Sequence, residues 1–172
     1  MQMYRFMEVS MACSDVQVME DFWVKMFDGQ VLFRGLMAGQ PFSRMIVAGC
    51  TLVFRQDPAF ATPPGPGVEF QYNNHLGLRV DSLEAAITEL EAKGAQFVMT
   101  PALVRQWQQR QDAQTGKYLQ TTFIAPPLTR ERITSGEYKH EVAIFVGPDN
   151  LWVELNEVHE PADTQWFPGA NP

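Results

Sequence analysis

The sequence predicts an α+β fold made of two βαβββ modules in tandem, and three observations carry that prediction. Residues 8–33 and 75–98 follow one plan: an alternating strand, a capped amphipathic helix, then a second strand. Between them lies DPAFATPPGPG, a Pro/Gly-rich run unsuited to regular structure. Each half then continues with further short apolar strands. The expected organisation is a first module over 1–60, a linker over 61–73, and a second module over 74–158. That second module carries an insertion at 100–140 and is followed by a tail at 159–172.

The elements follow in order. Residues 4–13 read as a strand with Val9, Met11 and Cys13 on one face and Glu8, Ser10 and Ala12 on the other. Ser14 or Asp15 caps a helix whose apolar stripe is Val16, Met19, Phe22, Trp23, Met26 and Phe27. Asp28-Gly29 stops it. Strands are expected at 30–34, 42–48 and 51–56, with GLMAGQP as a turn region and Gly49-Cys50 as a tight turn. In the second half, 75–80 is a strand with Leu76, Leu78 and Val80 on the covered face and His75, Gly77 and Arg79 on the open one. Asp81 or Ser82 caps a helix over the following residues, Gly94 ends it, and 95–98 resumes a strand. Residues 140–146 and 151–158 are the last strands. In the latter, Leu151, Val153 and Leu155 are covered, while Trp152, Glu154 and Asn156 are open. The insertion at 100–140 reads as an extended hairpin or lid, with 119–124 as a candidate strand and Tyr118 and Tyr138 as candidate lid contacts.

Composition bounds the function. The chain has 172 residues, 45% of them hydrophobic, and a formal net charge of −7. That is enough for a core, and the absence of a basic stripe argues against nucleic acid. No apolar run reaches the ~20 residues of a membrane span. Two cysteines, Cys13 and Cys50, make no disulfide framework, so a reducing cytoplasm is the expected compartment.

Glu8, His75 and Glu154 all fall on open strand faces, and two carboxylates with an imidazole suit a divalent metal. Each also has a plainer reading. His75 can hydrogen-bond in a polar cleft, Glu154 can be an exposed sheet carboxylate, and Glu8 can pair with Arg79.

The segments EVSMACSD, HLGLRVDSLEAAITELEAKGAQF and IFVGPDNLWVEL resemble the vicinal oxygen chelate superfamily, which includes glyoxalase I, bleomycin-resistance proteins and extradiol dioxygenases. The resemblance implies two curled sheets around a common cleft. It also implies one divalent ion (Zn, Ni, Mn, Co or Fe) held from the first and fourth strands of each half. Glu8, His75 and Glu154 match three of those positions, and Val53, which cannot bind a metal, falls at the fourth. The dioxygenase iron triad has two His and one carboxylate, whereas one matched position here is His.

The activity implied is a metal-dependent lyase or isomerase of the glyoxalase type. It would act on a small oxygen-rich substrate through a metal-stabilised enolate, with Glu8 or Glu154 as base. The alternative is a metal-free protein that binds a drug or metabolite, as bleomycin-resistance proteins do. Arg55, Arg79 and Trp152 are the expected substrate contacts. The expected partner is a small molecule, and a homodimer is left open.

Overall fold

The computed structural model describes residues 7–63, 75–106 and 135–160. The candidate strand at 119–124, Tyr118, most of the linker and most of the tail lie outside these. The chain divides into two units, one of residues 1–75, 92–95 and 146–152, the other of residues 76–91, 96–145 and 153–172.

The first unit is built on a four-stranded sheet of order β1-β4-β3-β2, with β1 Val9–Cys13, β2 Gln30–Met37, β3 Gln40–Val47 and β4 Cys50–Gln56. β1 runs parallel to β4, and the other two pairings are antiparallel. Helix α1, Val16–Phe27, begins where Asp15 turns its carboxylate onto the Gln17 and Val18 amides at 2.7 and 3.1 Å. These bonds satisfy donors that the first helical turn leaves unpaired. The helix ends at Asp28, which adopts a left-handed conformation, and the Gly29 amide donates to the Trp23 carbonyl at 3.1 Å. A Cβ at Gly29 would come within 3.0 Å of that same carbonyl oxygen, so the close return of the chain requires glycine there. Trp23, Met19 and Met26 of the helix are buried, as are Met45, Val47, Leu52 and Phe54 of the sheet.

β2 is three residues longer than the sequence suggested. Gly35, Leu36 and Met37 continue the strand because Ala38 and Gly39 alone make the turn, at φ 51° and 80°. Both central residues at positive φ is the two-residue hairpin geometry that matches strand twist. Ala48 and Gly49 repeat it between β3 and β4. Helix α1 also buries a charge. Glu20 is 1% exposed and accepts from Arg34 Nε and Nη2 of β2 at 2.7–3.0 Å. A buried carboxylate needs such a partner.

The second sheet has the order β5-β8-β7-β6, with β5 His75–Arg79, β6 Phe97–Met99, β7 Lys139–Val146 and β8 Trp152–His159. Helix α2 spans Leu83–Ala92 and buries Leu83 and Leu90. Leu155, Val153, Phe145 and Ala143 are fully buried, whereas Leu78 is half-buried. Residues 101–106 are helical, not extended: the Thr100 hydroxyl accepts from the Leu103 amide at 3.4 Å, and Pro101 occupies the first turn.

The start of α2 takes two acceptors. Ser82 Oγ accepts from the Ala85 amide at 3.3 Å, and Glu157 of β8 accepts from the Leu83 amide at 2.7 Å. That amide bond first, and His159 second, hold the Glu157 carboxyl below its usual range. A depressed carboxylate stabilises the fold above its unfolded pKa, about 4.3, and that stabilisation is lost as pH falls through the lower folded value. Glu157→Gln should therefore cost about 1 kcal/mol at neutral pH. Thermal melts should show the gap to wild type closing below about pH 4. A gap that is the same at every pH would mean that Glu157 does not cap α2.

Candidate functional site

Alternation along β1 sends Val9, Met11 and Cys13 toward α1 and leaves Glu8, Ser10 and Ala12 on the open face. The register aligns Ser10, Val53 and Arg44 across β1, β4 and β3. Arg44 reaches over β4 to Glu8, with its Nη2 2.8 Å from Glu8 Oε2. Val53, beneath that bridge, is 3% exposed. Arg44 was not among the residues that the sequence singled out. Strand alternation marks it as open-facing, but its pairing depends on β3 and β1 flanking β4, which local patterning does not reveal.

Arg55 lies in register with Phe42, whose ring sits 5.5 Å from that of Phe33. Its guanidinium is partly exposed and stands 3.9 Å from Asp57. Arg79 donates to the Val158 carbonyl at 3.0 Å, and Trp152 is 3% exposed. Of the three expected substrate contacts, Arg55 thus carries a partly exposed guanidinium and Trp152 a buried ring.

On the second sheet, a Cβ at Gly77 would lie 3.3 Å from Asn156 Nδ2 and 3.9 Å from Glu154 Oε1. Gly77, Glu154 and Asn156 therefore share one face, and glycine keeps it open. His140, at the start of the strand that the sequence placed at 140–146, belongs there too: its Nε2 meets Asn156 Oδ1 at 2.6 Å. His75 is exposed at the start of β5. Next to this face, Tyr138 and His140 line a cavity of about 450 Å³ together with Arg105 and Glu141. Arg105 pairs with Glu141 at 2.7 Å. Burial pushes the Tyr138 hydroxyl up, with Glu160 adding to the effect. Arg110, Arg130 and Arg132 of the insertion lie outside the described residues.

Among the described residues, no three His, Cys, Asp or Glu side chains gather as a metal ion requires. Glu8 is engaged by a cation, and Val53 offers no donor atom. Within the first unit, the two positions that the resemblance assigns to a metal thus hold one carboxylate paired with a guanidinium and one buried aliphatic side chain. No helix among the described residues is long and apolar enough to cross a membrane.

Comparison with known proteins bears on the fold. A glyoxalase family protein from Enterococcus faecalis superposes with a TM-score of 0.57 at 16% identity, covering 89% of this chain and 97% of that one. A glyoxylase/bleomycin resistance protein/dioxygenase domain from Frankia sp. EAN1pec gives 0.55 at 17% identity, covering 90% and 98%. A mutant fosfomycin resistance protein, FosX, from Listeria monocytogenes gives 0.53 at 12% identity, covering 94% of each chain; it was solved with Mn(II) and 1S,2S-dihydroxypropylphosphonic acid. No curated protein sequence matches the chain. The glyoxalase-like domain family model matches residues 8–119. With that match, the paired sheet-and-helix modules and the solved structures that share them, the chain belongs to the glyoxalase-like domain family, within the vicinal oxygen chelate superfamily.

Proposed function

We propose that this protein binds a small organic molecule without a resident metal, in the manner of the binding proteins of its superfamily. The observation that carries the reading is the Glu8–Arg44 ion pair lying over Val53. The family resemblance assigns two metal-binding positions to the first module, at Glu8 and Val53. One is engaged by a guanidinium and the other is a buried aliphatic residue. A cation already neutralises the carboxylate, and a guanidinium in that place offers donors to ligand oxygens. Arg55, beside Phe42 and Phe33, adds a partly exposed cation next to aromatic surface.

A second reading keeps Glu8, His75 and Glu154 as ligands of a metal-dependent lyase or isomerase of the glyoxalase type, with Glu8 or Glu154 as the base. What favours it is Gly77, which leaves space beside the Glu154 carboxylate.

Metal retention decides between the two. Protein incubated with Ni, Zn, Mn or Co and then dialysed should hold well under about one metal per chain by elemental analysis. Arg44→Met, which frees Glu8, should raise retention relative to wild type. Wild-type protein that keeps one metal per chain, and loses it on His75→Ala, would establish the metalloenzyme reading instead.

A further inference from the structure

We propose that a cavity at the edge of β1 binds a small hydrophobic cation, an aryl- or alkylammonium compound. β1 is a terminal strand of its sheet, and the consecutive residues Ser10, Met11 and Ala12 line a space of about 320 Å³. Met19, Phe60 and Leu151 complete its apolar wall, and Asp149 stands at its rim. Mostly apolar walls with a few fixed polar groups are the usual make-up of a small-molecule site.

The Asp149 carboxylate supplies the charge preference. It takes hydrogen bonds from the Ser14 amide at 2.7 Å and the Ser14 hydroxyl at 2.6 Å, and both donors are neutral. Among the described residues, no Lys, Arg or His lies within ion-pair distance of it. Its position is therefore fixed by Ser14, and no ion pair among the described residues neutralises its charge. The nearby Cys13 thiol responds to that field: burial first, and Asp149 next, push it up to about 11.

The turn that presents Asp149 is tightly determined. Asp149 and Asn150 both sit in the left-handed region, at φ 56° and 55°. The Gly147 amide donates to the Leu151 carbonyl at 2.8 Å, and Asn150 Nδ2 donates to the Pro63 carbonyl at 2.7 Å. Asp and Asn tolerate such angles better than other non-glycine residues, so the sequence suits this turn, and a rim group fixed in advance binds with less ordering cost. An ammonium at Asp149 places its hydrocarbon part against the apolar wall of Met11, Met19 and Phe60. The site includes neither Glu8 nor Arg44, so it stands whichever way metal retention turns out.

Three probes of one shape separate charge from shape: 2-phenylethylammonium, 2-phenylethanol and 3-phenylpropionate. Calorimetry should show the ammonium binding about tenfold or more tighter than the alcohol, with the carboxylate weakest. Asp149→Asn keeps a residue that tolerates the left-handed conformation, and it should erase the advantage of the ammonium while sparing the alcohol. Ala12→Phe, which fills the cavity, should abolish binding of all three. If Asp149→Asn fails to fold, raising the salt to ~0.5 M on wild-type protein should weaken the ammonium and not the alcohol. Equal affinity for ammonium and alcohol, no binding of any probe, or Ala12→Phe binding as wild type does would each overturn the proposal.

Discussion

Trp23→Ala should destabilise the protein by about 3–5 kcal/mol, read as a large drop in the urea midpoint. Trp23 is fully buried and sits where helix and sheet meet. Its ring lies nearly parallel to that of Phe54, 17° apart with centroids at 6.4 Å, and 5.2 Å from the Phe27 ring. Phe22 meets it edge-on at 5.2 Å. Removing the indole leaves a void that three aromatic neighbours cannot close, and close-packed interiors collapse only in part. Trp23→Phe separates size from polarity. The indole Nε1 is buried and has no hydrogen-bond partner among the described residues. Phenylalanine removes that unsatisfied donor along with part of the volume, so the loss should be under about 2 kcal/mol. A cost for Trp23→Ala near that of a surface change would mean that the stripe of α1 does not face the sheet.

That stripe was legible because helical spacing and the Asp15 cap agree, and each rests on neighbours a few residues apart. The alternation of β1 was legible for the same reason, whereas Val53 of β4 and Trp152 of β8 are buried where alternation alone puts an open position. What escaped the sequence depends on partners distant along the chain. Glu20 sits beside Met19 on the buried side of α1 and looks like a solvated charge until Arg34 is placed against it from β2. Arg44 looked like one more open-face cation until the strand order set it across β4 from Glu8. Glu157 looked like the end of a strand, and its role as a cap for α2 follows from a contact between residues 74 positions apart. The Thr100-Pro101 helix start is a local signal, a hydroxyl cap followed by proline in the first turn, that the Gln- and Arg-rich run after it obscures. The extra length of β2 was hidden because Ala-Gly is a weaker signal for a two-residue hairpin than Asn-Gly.

Leu155→Ala should cost about 2–5 kcal/mol, while Glu154→Ala beside it should cost under about 1 kcal/mol. The two residues are adjacent on β8 and point to opposite faces. Leu155 is fully buried, in the same unit as Phe145 and Val153. Glu154 is half-buried and shares its face with Gly77 and Asn156. A slip of one residue in the pairing of β8 would exchange them, burying a carboxylate and exposing a leucine. The contrast in stability therefore reports the register of the strand as well as the packing of one side chain. It also bears on function, because the same register carries Glu154 and Asn156 onto the open face and sets Asn156 against His140. Comparable costs for the two substitutions would mean that the faces of β8 are inverted, and the candidate site on the second sheet would then have to be redrawn on the opposite face.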